Sequence, residues 1–192
     1  MTSESESTAS DITAPPKDYR LLVPRDWFRI DLTRQGWRTQ LKTFVNRQAE
    51  GKNVPAEAKQ EAWATLRNTA EAGVRNGALE FFLRSEADGG GVLPASLIVS
   101  LIPRTGSLTP NDLRESFEAK AQQHPYPADV STVVLPAGEA VRIRTATALD
   151  LYVRMPGGVG YLVLAFVVPV TGMTGSMYRL CESIAESLRW IV

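Results

Sequence analysis

Apolar residues recur along this chain with two different periods, and each period marks a different kind of element. Over "RQGWRTQLKTFVNRQAEG" (34–51), Trp37, Leu41, Phe44 and Val45 fall at helical spacing, with Gly51 as terminator. Over "PAEAKQEAWATLRNTAEAGVRNG" (55–77), Ala62, Trp63, Leu66, Ala70, Gly73 and Val74 form a second helical stripe. Pro55 suits its first turn and Asn76-Gly77 its stop. A third helix starts at Thr109, where Thr109 and Asp112 make an [ST]-x-x-[DE] capping box, Pro110 takes the first helical position, and Leu108 and Leu113 form a hydrophobic staple. Leu113, Phe117 and Ala121 share one face there, and "HPYP" (124–127) ends the helix. Met177, Leu180, Cys181, Ile184, Leu188 and Ile191 predict an amphipathic helix running to the end of the chain.

The remaining segments read as strands. "DYRLLV" (18–23) and "RDWFRIDL" (25–32) are short extended pieces. "ALEFFLRSEA" (78–87) and "VLPASLIVSLIP" (92–103) flank "DGGG", a hairpin signal in which glycine supplies the positive φ of the turn. "VSTVVLP" (130–136), "EAVRIRTAT" (139–147), "LDLYVRM" (149–155) and "GYLVLAFVVPV" (160–170) follow, separated by "AG" and "PGGVG". The run "YLVLAFVVPV" carries no charge at all. A membrane-spanning helix needs roughly 20 apolar residues, twice this run, and Pro169 ends it early. Its β-branched and aromatic content favours a strand, and its lack of alternation means that both faces are covered. The run is therefore expected at the centre of a sheet with helices on either side.

This order of elements resembles that of the PsbP-like family. Two local features carry the likeness: the approach "VPRDWFRIDL", with Pro24 and Trp27, and the closing "ESIAESLRW" (182–190). The resemblance implies an α+β fold, a three-layer α/β/α sandwich with a central, mostly antiparallel sheet. It also implies work by partner binding, since the family includes photosystem accessory subunits, small-GTPase-binding factors and bacterial lipoproteins. No lipoprotein cysteine lies near this N-terminus.

Composition narrows the function classes. The chain has 192 residues, enough to bury a sizeable core as one domain over 18–192. Residues 1–17 are acidic, rich in Ser and Thr and closed by Pro15-Pro16, and read as a disordered tail. Lys plus Arg balance Asp plus Glu at 21 each, which argues against nucleic acid as partner. One cysteine, Cys181, permits no internal disulfide, and no signal peptide is evident, so the cytoplasm is the expected compartment.

Chemistry is sparsely signalled. His124 is the one histidine, and neither it nor Cys181 sits in a nucleophile motif or a metal-ligand spacing. No metal site, catalytic residue or cofactor is expected. Carboxylates at Glu80, Glu86 and Asp88 lie on or beside a hairpin, and the glycine-rich turns lack the Lys and helix of a phosphate loop. Arg142 and Arg144 share one face of a strand, and Arg154 can join them from the next to form an anion-binding patch. The alternative is an ion ladder with Glu80, Glu86, Glu139 or Asp150. Trp37 and Trp63 are either partner anchors or core. The expectation is a non-catalytic accessory or chaperone-like module of a secretion or assembly system. It would bind another protein without entering a membrane, and homo-oligomerisation is left open. The alternatives are a small-anion binder using the arginines and, third, an enzyme without a recognisable motif.

Overall fold

A computed structural model describes residues 14–50, 54–84, 94–103, 108–123 and 127–192. The tail over 1–13, Gly51, Glu86, Asp88, the "DGGG" turn and His124 lie outside the described residues.

Seven strands form one antiparallel sheet: β2 (Trp27–Asp31), β3 (Ala78–Arg84), β4 (Ala95–Pro103), β5 (Asp129–Leu135), β6 (Gly138–Arg144), β7 (Ala148–Arg154) and β8 (Gly160–Val167). Their spatial order is β2-β3-β4-β8-β7-β6-β5, so the uncharged run sits at the centre. A separate two-stranded ribbon pairs β1 (Asp18–Arg20) with β9 (Arg189–Ile191). Among the described residues the α-helices are α1 (Trp37–Ala49), α2 (Ala56–Arg75), α3 (Pro110–Ala121) and α4 (Gly175–Glu186).

Side-chain alternation in β8 divides the core into two layers. Leu162, Leu164 and Phe166 face α4 and the ribbon, where Cys181, Ile184, Ala185 and Leu188 are buried, with Tyr19 and Trp190 packed against them. The other face is roofed at one end by α1 and α2, whose Trp37, Leu41, Phe44, Val45, Leu66 and Ala70 pack on Ile30, Phe81 and Leu83. At the other end α3 lies over β5 and β6, with the Phe117 ring 4.8 Å from that of Tyr152. On that face Tyr161 and Val163 of β8 are buried, Ala165 is half-buried, and Val167, at the strand end, is 40% exposed. Burial of both faces is why the run needs no polar alternation. The fold is the expected three-layer α+β sandwich.

Local signals place most boundaries. Thr109 Oγ1 accepts from the Asp112 N–H at 3.2 Å while the Asp112 carboxylate accepts from the Thr109 N–H at 2.8 Å, closing the capping box. Leu108 stays 55% exposed, so the staple across that cap contributes little, and its carbonyl instead accepts from the Tyr161 hydroxyl. The turn before β2 is closed by the Trp27 N–H donating to the Pro24 carbonyl at 3.0 Å. The C-terminal helix is shorter than its periodicity predicts. It ends at Glu186, the Ser187 hydroxyl donates to the Ile184 carbonyl at 2.6 Å, and Arg189–Ile191 turn extended to pair with β1. Ile191 is therefore a ribbon residue, because tertiary pairing overrides a weak helical continuation.

Candidate functional site

Arg142 and Arg144 project from β6 towards α4, each beside the Tyr178 side chain. The Arg142 guanidinium donates to the Tyr178 hydroxyl at 2.8 Å and to Ser131 Oγ of β5 at 3.1 Å, and lies 3.5 Å from a Glu182 carboxylate oxygen. The Arg144 guanidinium stacks 4.1 Å from the centre of the Tyr178 ring, a cation–π contact. Both arginines thus fasten α4 to the β5–β6 end of the sheet. Arg154 does not join them. The register pairs Arg144 with Leu149 and Arg154 with Tyr161, which sets Arg154 on the opposite face, 3.9 Å from Glu139. Of the ladder partners considered among the described residues, Glu139 alone pairs with one of these arginines, and Glu86 lies outside the described residues.

The two indoles differ. Trp37 is 5% exposed in the core under α1, with the Arg38 guanidinium 4.4 Å from its ring centre. Trp63 is half-buried and lines a recess of about 240 Å³ between α1 and α2 with Lys42, Val45 and Lys59. Cys181 is fully buried, and burial pushes its thiol up to about 12, which leaves it protonated and inert at neutral pH. Among the described residues, no group of three or more His, Cys, Asp or Glu is placed to hold a metal ion, and no helix is long and apolar enough to cross a membrane.

Asp150 stands on the α3-side face of β7, opposite Ile143 and Ala165, and burial raises its carboxyl to about 6. Its folded value lies above its ordinary value of 3.8, so the folded state holds the proton more tightly. The stability this confers is complete below about pH 4 and is lost as the pH rises through about 6. Asp150→Asn is expected to stabilise the protein by about 1–2 kcal/mol near pH 7.5 and to flatten the fall in stability across that window, as read from urea unfolding at several pH values.

A cleft of about 610 Å³ opens where the ribbon and the segment following β1 meet β2 and β3. Leu21, Val23, Trp27, Leu79 and Phe82 supply apolar lining, and Arg20, Arg25, Arg29, Asp18, Asp31 and Glu80 supply charge. Glu80 is 9% exposed and is held from two sides, accepting from the Tyr19 hydroxyl at 2.5 Å and from the Arg29 guanidinium. Burial, with the carboxylate beside it, pushes the Tyr19 phenol well above its ordinary value and keeps it a donor. Trp27 is 5% exposed, and its buried indole Nε1 meets no acceptor among the described residues.

The two edges of the large sheet are unequal. At the β2 edge, turns engage the two ends of the strand, the Trp27 N–H donating to the Pro24 carbonyl and the Asp31 carbonyl accepting from the Arg34 N–H. At the β5 edge, "DVSTVVL" pairs with β6 on one side, and among the described residues no backbone bond outside that ladder involves 129–135. Thr132 is exposed and Val134 is 81% exposed.

Fold and surfaces together define an α+β sandwich with an open sheet edge and a charged cleft. Among solved structures it is similar to the solution structure of cyanobacterial PsbP (CyanoP) from Synechocystis sp. PCC 6803, with 14% identity, a TM-score of 0.42, and coverage of 90% of this chain and 86% of that one. This is the family that the element order resembles, and at that level of likeness nothing about function follows. No protein-family model and no curated protein matches the chain.

Proposed function

We propose that this chain is a non-catalytic accessory protein that holds a partner polypeptide, in an assembly or secretion role, by adding an extended segment of that partner to the β5 edge. The observation that carries this reading is the open edge itself. Natural sheets blunt their edges with Lys, Pro, bulges or covering elements, whereas residues 130–135 are uncharged, largely β-branched and paired on one side. Strand addition then gives affinity through backbone hydrogen bonds, and flanking side chains give specificity. Arg142 and Arg144, on the strand behind this edge, are engaged with α4 and serve here to hold β5 and β6 in place. Trp37 and Trp63 are left to packing in this reading. The cytoplasm is its compartment, on the sequence ground that a lone cysteine forms no internal disulfide.

The test is affinity capture from the native cell with wild-type and Val134→Lys baits. Lysine at so exposed a position should change stability by no more than about 0.5 kcal/mol while obstructing strand addition. Proteins captured by the wild type should be lost from the variant at least about tenfold, equivalent to 1.4 kcal/mol. Capture that is unchanged by Val134→Lys, with both baits equally folded, would refute the edge as the seat. Self-association lost in the variant would assign the edge to a second copy.

A further inference from the structure

Apart from the sheet edge, we propose that the cleft beneath the β1–β9 ribbon binds a ligand carrying one carboxylate on an apolar body. A volume of about 610 Å³ is of the size that holds small molecules, and such sites combine an apolar wall with a few polar groups that fix orientation. The lining has both parts. Leu21, Val23, Trp27, Leu79 and Phe82 provide the wall.

The sign of the charge follows from which lining groups are already satisfied. Glu80 accepts from Tyr19 and Arg29. Asp31 accepts from the Thr33 N–H at 3.0 Å and from Arg34 at 2.9 Å, and Asp18 accepts from the Tyr19 N–H at 2.8 Å. Arg20 and Arg25, by contrast, have no carboxylate partner among the described residues. The Trp27 indole is a further donor without an acceptor, and a buried donor of that kind is rare enough to need a reason. An incoming carboxylate supplies acceptors for the donors, and an apolar body covers the wall. A cation would find Glu80 and Asp31 already paired with Arg29 and Arg34 and, among the described residues, only Asp18 without a cationic partner, and a second negative charge would lie beside Glu80.

A free small acid and a polypeptide C-terminus share this chemistry, and two probe pairs separate them. One pair is 4-phenylbutyrate and its neutral amide. The other is a short N-acetylated peptide with an apolar C-terminal residue, as the free acid and as the amide. Binding is read on the full chain by calorimetry and from the indole N–H resonance of Trp27, assigned by its absence in Trp27→Phe. At least one acid should bind and move that resonance, and its amide should bind about tenfold to a hundredfold more weakly, as expected for loss of a charge-assisted hydrogen bond. Arg20→Gln with Arg25→Gln should weaken the acid by a similar factor without lowering Tm, since both side chains are exposed. Binding by the peptide acid alone identifies a chain terminus, and binding by phenylbutyrate alone identifies a small acid. The proposal is overturned if neither acid binds, if acid and amide bind alike, if the arginine variant binds as the wild type does, or if the Trp27 resonance stays still.

Discussion

Phe166→Ala is expected to lower the stability of this protein by about 3–5 kcal/mol, the range for truncating a buried phenylalanine. Phe166 is fully buried at the middle of the sheet, where β8 sets it opposite Leu97 of β4 and Leu149 of β7. All three belong to the core layer that α4 closes with Cys181, Ile184 and Leu188. Removing the ring withdraws apolar contact from that layer and leaves a cavity that strands paired on both sides cannot collapse to fill. The neighbouring Val167 is the internal control. It points to the other face, is 40% exposed, and its truncation should cost well under about 1 kcal/mol. Urea unfolding followed by circular dichroism measures both. Similar losses at the two positions would mean that Phe166 is not sealed in the α4-side layer while the strand end at Val167 opens to solvent, and the layered architecture would fail with it.

The elements that the chain announces are those with local causes. A central strand buried on both faces must be apolar throughout, and residues 160–167 are. Thr109, Pro110 and Asp112 specify the start of α3 within four consecutive positions. Arg142 and Arg144 must share a face because side chains in a strand alternate. Whether Arg154 shares it depends on the register of β6 on β7, which pairs even positions with odd ones, as Arg144 with Leu149. That parity is set by how Thr145–Thr147 turn the chain, and no strand pattern records it. The ribbon was hidden for a similar reason: Leu188 and Ile191 continue a helical spacing, and only pairing with β1 draws Arg189–Ile191 into a strand. The cleft was the least legible part. Glu80 meets Arg29 across 51 positions of sequence and Tyr19 across 61, so its carboxylate is explained only once β2, β3 and the ribbon are in place.

Gly77→Ala is expected to cost about 2–4 kcal/mol, a large effect for the addition of one methyl group. Gly77 follows the C-terminus of α2 with φ +82°, where it turns the chain directly into β3. An L-residue pays about 1–2 kcal/mol for that left-handed backbone. The added Cβ would also lie 2.5 Å from the Leu101 carbonyl oxygen, inside any acceptable contact. Relief requires backbone movement, and the backbone is tied there, because the Leu101 N–H donates to the Gly77 carbonyl at 2.9 Å. Moving either strand strains the junction of β3 and β4, which carries both the floor of the cleft and the α2 roof. Gly36→Ala offers the contrast. At that position φ is −80° and nothing stands within 4 Å of the new methyl, so the change should stay within about 0.5 kcal/mol. Thermal and urea unfolding of the pair separates a glycine required by geometry from one that is merely present. A Gly77→Ala protein as stable as the wild type would mean that the α2–β3 turn does not pass through this left-handed, tightly contacted residue.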